Sequence, residues 1–81
     1  MTRDDMQIGI GLALRRLRKS HAISQAALAC LLNQRPKTIR QIERGQKPLS
    51  PAELWLLAQH LQFSITTFIG DAMRKGPTRQ N

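Results

Sequence analysis

An all-α fold of five short helices is predicted by three features of this sequence. Apolar residues recur at intervals of three and four through most of the chain, which is the spacing of one face of a helix. Small polar residues that cap helices, among them Ser24 and Ser50, stand directly before such stretches. Asn33 and Gly45 follow two of the stretches, and both residue types tolerate the left-handed backbone on which helices end.

The first helix is expected to begin near Asp4 or Asp5, because a carboxylate there can cap the helix and favour its dipole. Leu14 and Leu17 then fall at helical spacing. A turn is expected over residues 20–23.

The second and third helices are predicted to be joined by a sharp turn. Ser24 is the expected N-cap of a helix over residues 25–32, and Asn33 suits the turn that follows. Pro36 fits the first position of the third helix, since the N–H that proline lacks would stay unbonded there. This helix is expected to end just before Gly45.

The fourth helix has the strongest local start signal in the chain. Ser50 and Glu53 form a predicted capping box with Pro51 at the first helical position, so a helix is expected from there to about residue 62. Its expected core face consists of Leu54, Leu57, Ala58 and Leu61. Ser64 is expected to open a fifth helix.

A single domain over residues 8–73 is expected, because 81 residues leave no room for a second core. Residues 1–7 are predicted to be an N-terminal arm or the start of the first helix, and residues 74–81 a basic flexible tail. The chain lacks a nucleophile–base pair and the spacing of a metal-ligand cluster, so no enzyme, metal site or cofactor is expected.

Positive charge is concentrated in the first half of the chain. The formal net charge is +8; residues 14–48 hold nine Lys and Arg against one acidic residue, whereas residues 48–73 hold no Lys or Arg. This division predicts an anionic partner such as nucleic acid. Cys30 is the only cysteine, which excludes an intramolecular disulfide. No stretch has the length or composition of a membrane span or a secretory signal, so a cytoplasmic location is expected.

The main functional signal is a pair of short helices of which the second is basic on one face. The residues that carry it are Ile10-Gly11, Leu14-Arg15, Leu17-Arg18, Ser24-Gln25, Leu28-Ala29, Ile39, Ile42-Glu43-Arg44-Gly45 and residues 61–64. In this order and spacing they resemble the phage-repressor helix-turn-helix family of Cro and lambda-type repressors, over residues 8–69. The resemblance implies a compact five-helix lambda-repressor-like fold that binds double-stranded DNA. It also implies a transcriptional regulator, most often a repressor on a palindromic operator.

The resemblance further implies that the third helix reads DNA bases. The positions it nominates are Pro36, Lys37, Arg40 and Gln41. Glutamine can form two hydrogen bonds to adenine, and lysine or arginine can bond guanine, whereas Pro36 offers only apolar contact. The alternative is that these side chains form a merely solvated helix face.

Other basic and polar residues are expected to contact the DNA backbone or to hold the fold together. Gln25 occupies a position where family members place a phosphate contact. The further phosphate candidates are Arg15, Arg35, Arg44 and Lys47. Arg18 and Glu43 resemble a structural ion pair that ties the first helix to the third.

Apolar residues beyond the expected core predict an interface. Trp55 and Leu56 lie off the core face of the fourth helix. The interface candidates are Leu49, Trp55, Phe68, Ile69 and Met73. Because aromatic side chains anchor interfaces, we expect a homodimer with its two third helices one DNA turn apart. The alternative for this set, and for Phe68 above all, is plain core packing.

The outer face of the second helix is also unusually apolar, with Ala26-Ala27 and Cys30-Leu31 where family members commonly carry charges. Leu31 is expected to be exposed there, and Cys30 to be semi-buried. This face and the surplus around Trp55 support a second hypothesis, in which the protein neutralises a protein partner as an antitoxin or antiactivator. Such a role can coexist with DNA binding.

Overall fold

Five helices and no strand make up residues 2–74, the part of the chain that the computed structural model describes. They are α1 (Arg3–Ser20), α2 (Gln25–Leu31), α3 (Pro36–Glu43), α4 (Pro51–Leu61) and α5 (Ile65–Arg74). The prediction of an all-α fold is confirmed. Of the predicted basic tail, Arg74 is the last residue of α5, and residues 75–81 lie outside the described part.

The start of α1 differs from the prediction. Thr2 is the N-cap: its hydroxyl accepts a hydrogen bond from the backbone N–H of Asp5 at 3.1 Å, and the Asp5 carboxylate accepts one from the N–H of Thr2 at 3.2 Å. Asp5 is therefore the third helical residue of a capping box and not the cap itself, and Asp4 lies in the first turn. Residues 3–7 belong to α1 and do not form a separate arm.

The other predicted helix boundaries agree with the structure. Ser24 and Ser50 cap α2 and α4 through their hydroxyls, and Pro36 is the first residue of α3. Asn33 and Gly45 have φ angles of 56° and 75°, in the left-handed region. Local chemistry at these positions thus decides where the helices begin and end.

The core lies where α1 packs against α3 and α5, and α2 against α3. Its buried apolar residues are Ala13, Leu14, Leu28, Ala29, Leu32, Ile39, Ile42, Leu57, Phe68 and Ala72. Gly11 permits a close approach of α1 to α3, because a Cβ there would overlap the carbonyl oxygen of Ile42 and lie 2.9 Å from that of Glu43. At the other side of α1, Arg16 forms an ion pair of 2.8 Å with Asp71 of α5.

Three expectations about burial are corrected, and one alternative is decided. Phe68, an interface candidate with core packing as its alternative, is only 6% exposed and belongs to the core, where the centroid of its ring lies 5.4 Å from that of Phe63. Leu56 and Leu31, expected to lie outside the core, are partly buried against it. Cys30 is exposed. Leu31 and Leu56 are more buried than a single core face predicts because α2 and α4 each pack against two other helices.

Within residues 2–74, the helices lack the combination of length and apolarity that a membrane crossing needs.

Candidate nucleic-acid interface

One face of α3 is polar and open to solvent. Ile39, Ile42 and Glu43 are buried on the opposite side of the helix. The outward face consists of Pro36, Lys37, Arg40 and Arg44, which are exposed, and Gln41, which is half-buried. All four predicted base-reading residues therefore lie on the accessible surface of α3. Arg35 is exposed directly before this helix, and Lys47 is exposed just after it.

An ion pair between Arg18 and Glu43 joins α1 to α3. The Nε of Arg18 donates to Oε2 of Glu43 at 2.7 Å, and Nη2 donates to Oε1 at 3.1 Å. The third nitrogen, Nη1, donates to the carbonyl oxygen of Ile23 at 3.0 Å. The two side chains are only 11% and 4% exposed. The hydrogen bonds to Glu43 raise the pKa of Arg18 above its ordinary value, although burial acts in the opposite direction.

Gln25 belongs to the same network. Its Nε2 donates a hydrogen bond to Oε1 of Glu43 at 3.0 Å, so the first residue of α2 is attached to α3. An amide nitrogen carries two hydrogens, and this bond uses one of them. The remaining N–H is available for a contact outside the network. Gln25 was predicted to contact a phosphate, but its bond to Glu43 was not predicted.

A groove with a volume of about 540 Å³ lies over this network, and we call it the basic groove. It is lined by Arg15, Arg18, Lys19, Ser24, Gln25, Arg40, Glu43 and Arg44. The fold thus brings three of the predicted phosphate contacts together with one predicted base-reading residue. Arg35 and Lys47 do not line it. Lys19 was missed, although its position four residues after Arg15 on the same helix face is a signal that could have found it.

The comparison with known families identifies the fold's relatives. A family model described as helix-turn-helix matches residues 14–68, which run from α1 to α5 and cover more than half of the chain. The chain belongs to the Cro/C1-type helix-turn-helix family. It is therefore a DNA-binding transcriptional regulator.

Two solved structures resemble this helix-turn-helix regulator. The clp gene regulator ClgR from C. glutamicum superposes with a TM-score of 0.81 at 23% identity, over 91% of this chain and 96% of that chain. The restriction-modification controller protein C.AhdI from Aeromonas hydrophila superposes with a TM-score of 0.69 at 29% identity, over 76% of this chain and 94% of that one. No match was found among curated protein sequences.

The turn before α3 is attached to α4. Nε2 of Gln34 donates to Oε2 of Glu53 at 2.9 Å. The other carboxylate oxygen of Glu53 accepts the backbone N–H of Ser50 at 3.0 Å and so completes the capping box of α4. One carboxylate thereby holds both segments. The contact joins residues 19 positions apart, and it was not predicted from the sequence.

The four expected interface residues that lie outside the core divide into two groups. Trp55 is 56% exposed on α4, which is unusual for the largest apolar side chain. Leu49, Ile69 and Met73 are half-buried and pack against the core from outside. Among the described residues, no cluster of His, Cys, Asp and Glu has the arrangement of a metal site.

Proposed function

We propose that this regulator represses transcription by binding, as a homodimer, to a two-fold-symmetric operator. The observation that carries the proposal is the accessible polar face of α3, which stands beside the basic groove. A helix of this kind fits the major groove of DNA, where Gln41 can bond adenine and Lys37 can bond guanine. Pro36 lies at the exposed start of the helix and can touch a thymine methyl group.

Affinity in the proposed complex comes from basic side chains around α3. Arg15, Gln25 and Arg44 face the same groove, so a single docking pose presents them together. Arg35 precedes the helix and Lys47 follows it, which extends the positive surface beyond both ends. Contacts of this kind act on the DNA backbone and carry no sequence information.

The dimer is proposed from the surface around Trp55. An exposed tryptophan in a segment without Lys or Arg, residues 48–73, suits association with a second copy, since like-charge repulsion is low there. A two-fold dimer places its two recognition helices about 34–36 Å apart, which matches adjacent turns of DNA. Occupation of such a site within a promoter would exclude RNA polymerase.

A titration followed by fluorescence anisotropy tests this proposal. Labelled DNA from upstream of the protein's own coding sequence is compared with a scrambled duplex of equal length, across a series of salt concentrations. Selective binding with two protomers per duplex is the expected result. Equal affinity for both duplexes at every salt concentration would overturn sequence-specific recognition, and one protomer per duplex would overturn the dimer.

The exposure of Trp55 also favours the second candidate, a regulator that neutralises a protein partner. The exposed apolar residues of α2, Ala26, Ala27 and Cys30, add to the surface available for such a partner. Sedimentation of the purified protein distinguishes the two candidates. A stable homodimer supports the operator-binding repressor, whereas a monomer that dimerises only poorly and forms a tight complex with the product of a neighbouring gene supports the second candidate.

A further inference from the structure

The basic groove has two walls, each with a pair of cations one helical turn apart. Arg15 and Lys19 stand on α1, and Arg40 and Arg44 stand on α3. Within residues 2–74, the salt bridges involve other side chains, and none joins these four cations to a carboxylate. The one acidic residue in the groove is Glu43, whose carboxylate is neutralised by two hydrogen bonds from Arg18. Four positive charges without an acidic partner therefore line the basic groove.

The lining of the basic groove separates Arg40 from two other candidate base-reading residues, Lys37 and Gln41. Arg40 lines the groove together with Glu43, on the side of α3 that faces α1 and α2. Lys37 and Gln41 do not line it. Lys37 is exposed and Gln41 is half-buried, and both lie on the face of α3 opposite Ile39 and Ile42.

The contents of the groove suit a phosphate diester. An arginine guanidinium bonds two phosphate oxygens at once, and a lysine supplies a point charge. Gln25 is held at one end by its bond to Glu43, with its second N–H still available. Because Arg18 neutralises Glu43, the groove does not repel an anion.

We propose that the basic groove holds a backbone phosphate of DNA, contacted by Arg40 from α3 and Lys19 from α1. Arg40 is then a phosphate contact and not a base-reading residue, and Lys19 extends the DNA interface onto the end of α1. The inference rests on the proposed function in one respect, since DNA is the ligand. It does not depend on sequence-specific recognition, because phosphate contacts are the same on every duplex.

The test compares four variants, each of which removes one positive charge. Arg40→Gln and Lys19→Gln alter the groove. Arg3→Gln is the control for net charge, because Arg3 lies on α1 away from the groove, and Lys37→Gln is the control for base reading on α3. Affinity is measured by anisotropy on the operator duplex and the scrambled duplex over a salt series, and thermal unfolding verifies that each variant folds.

Arg40→Gln and Lys19→Gln are each expected to weaken binding to both duplexes by the same factor. Each should also reduce the slope of log affinity against log salt concentration by about 0.9, the value of one phosphate contact. Arg3→Gln should leave the slope unchanged, and Lys37→Gln should lower affinity mainly on the operator. A loss for Arg40→Gln that is confined to the operator, or slopes equal to that of Arg3→Gln, would overturn the proposal.

The slope on the scrambled duplex keeps this test separate from the proposed function. If the wild-type protein does not prefer the operator, sequence-specific recognition fails, but the slopes still decide whether the groove binds phosphate. If the wild-type protein binds neither duplex, both proposals are overturned.

Discussion

The Glu43 carboxylate accepts hydrogen bonds from both Arg18 and Gln25, and so joins the first three helices at one buried point. Two of these bonds come from a guanidinium that is itself almost inaccessible to water. Removal of the carboxylate would leave the positive charge of Arg18 without its partner in a region of low dielectric constant. The ion pair is thus more important to the fold than a surface pair would be.

Glu43→Ala is expected to lower the free energy of unfolding by about 3–5 kcal/mol, because it leaves a buried charge uncompensated. Thermal and urea unfolding followed by circular dichroism measure this change. Arg16→Ala serves as the matched control, since it removes the exposed pair with Asp71 and should cost no more than about 1 kcal/mol. Similar losses for the two variants would show that Arg18 and Glu43 contribute no more than a surface pair.

Gly11→Ala is expected to destabilise the protein although alanine favours helices. The added Cβ would meet backbone atoms of Ile42 and Glu43, which cannot rotate away, and overpacking of this kind costs about 1–3 kcal/mol. Gly70→Ala is the control: a Cβ there has no atom within 4 Å, so helix propensity should raise the free energy of unfolding by about 0.5–1 kcal/mol. Urea unfolding of both variants checks the prediction, and it is wrong if both changes stabilise.

Gln41→Ala is expected to cost about 1–3 kcal/mol of binding free energy on the cognate operator and to relax base preference at one position. The reason is the loss of a side chain that donates and accepts hydrogen bonds on the outward face of α3. Anisotropy titrations against operators with single base-pair changes measure it. An equal loss on every duplex would mean that Gln41 does not read bases.

Trp55→Ala is expected to shift the proposed dimer toward monomer while leaving the fold intact, because more than half of this side chain is open to solvent in the protomer. Sedimentation velocity over a range of concentrations measures the shift, and circular dichroism verifies the fold. An unchanged dissociation constant for the dimer would remove Trp55 from the interface.

Local chemistry made most of the fold predictable. Residues that begin or end a helix act on the backbone within a few positions of themselves, so their effect can be recognised in the sequence. In this chain they include Ser24, Pro36, Gly45 and Ser50. The position of Thr2 as the cap of α1 was missed because Asp5, three residues later, fits a cap equally well by residue type. Which of two candidates caps a helix depends on the reciprocal bond between them, and residue type alone does not decide that.

Contacts between distant segments were less accessible to prediction. The family resemblance predicted the ion pair of Arg18 and Glu43. The spacing of residues in the sequence does not predict the bond from Gln25 or the location of Lys19 in the groove. The location of Phe68 could not be predicted either, because a phenylalanine suits the core and an interface equally well. Its burial follows from the packing of α5 against α1 and α4 and from its contact with Phe63.

The bond between Gln34 and Glu53 limits the range of half-site spacings that a dimer could bind. In the proposed assembly, α4 carries the residue that meets the second protomer, and the turn ahead of α3 is fastened to the start of that same helix. In such a dimer, α3 has little freedom to rotate toward a displaced half-site. Operators whose halves are moved apart by a single base pair should therefore be bound through one protomer at a time.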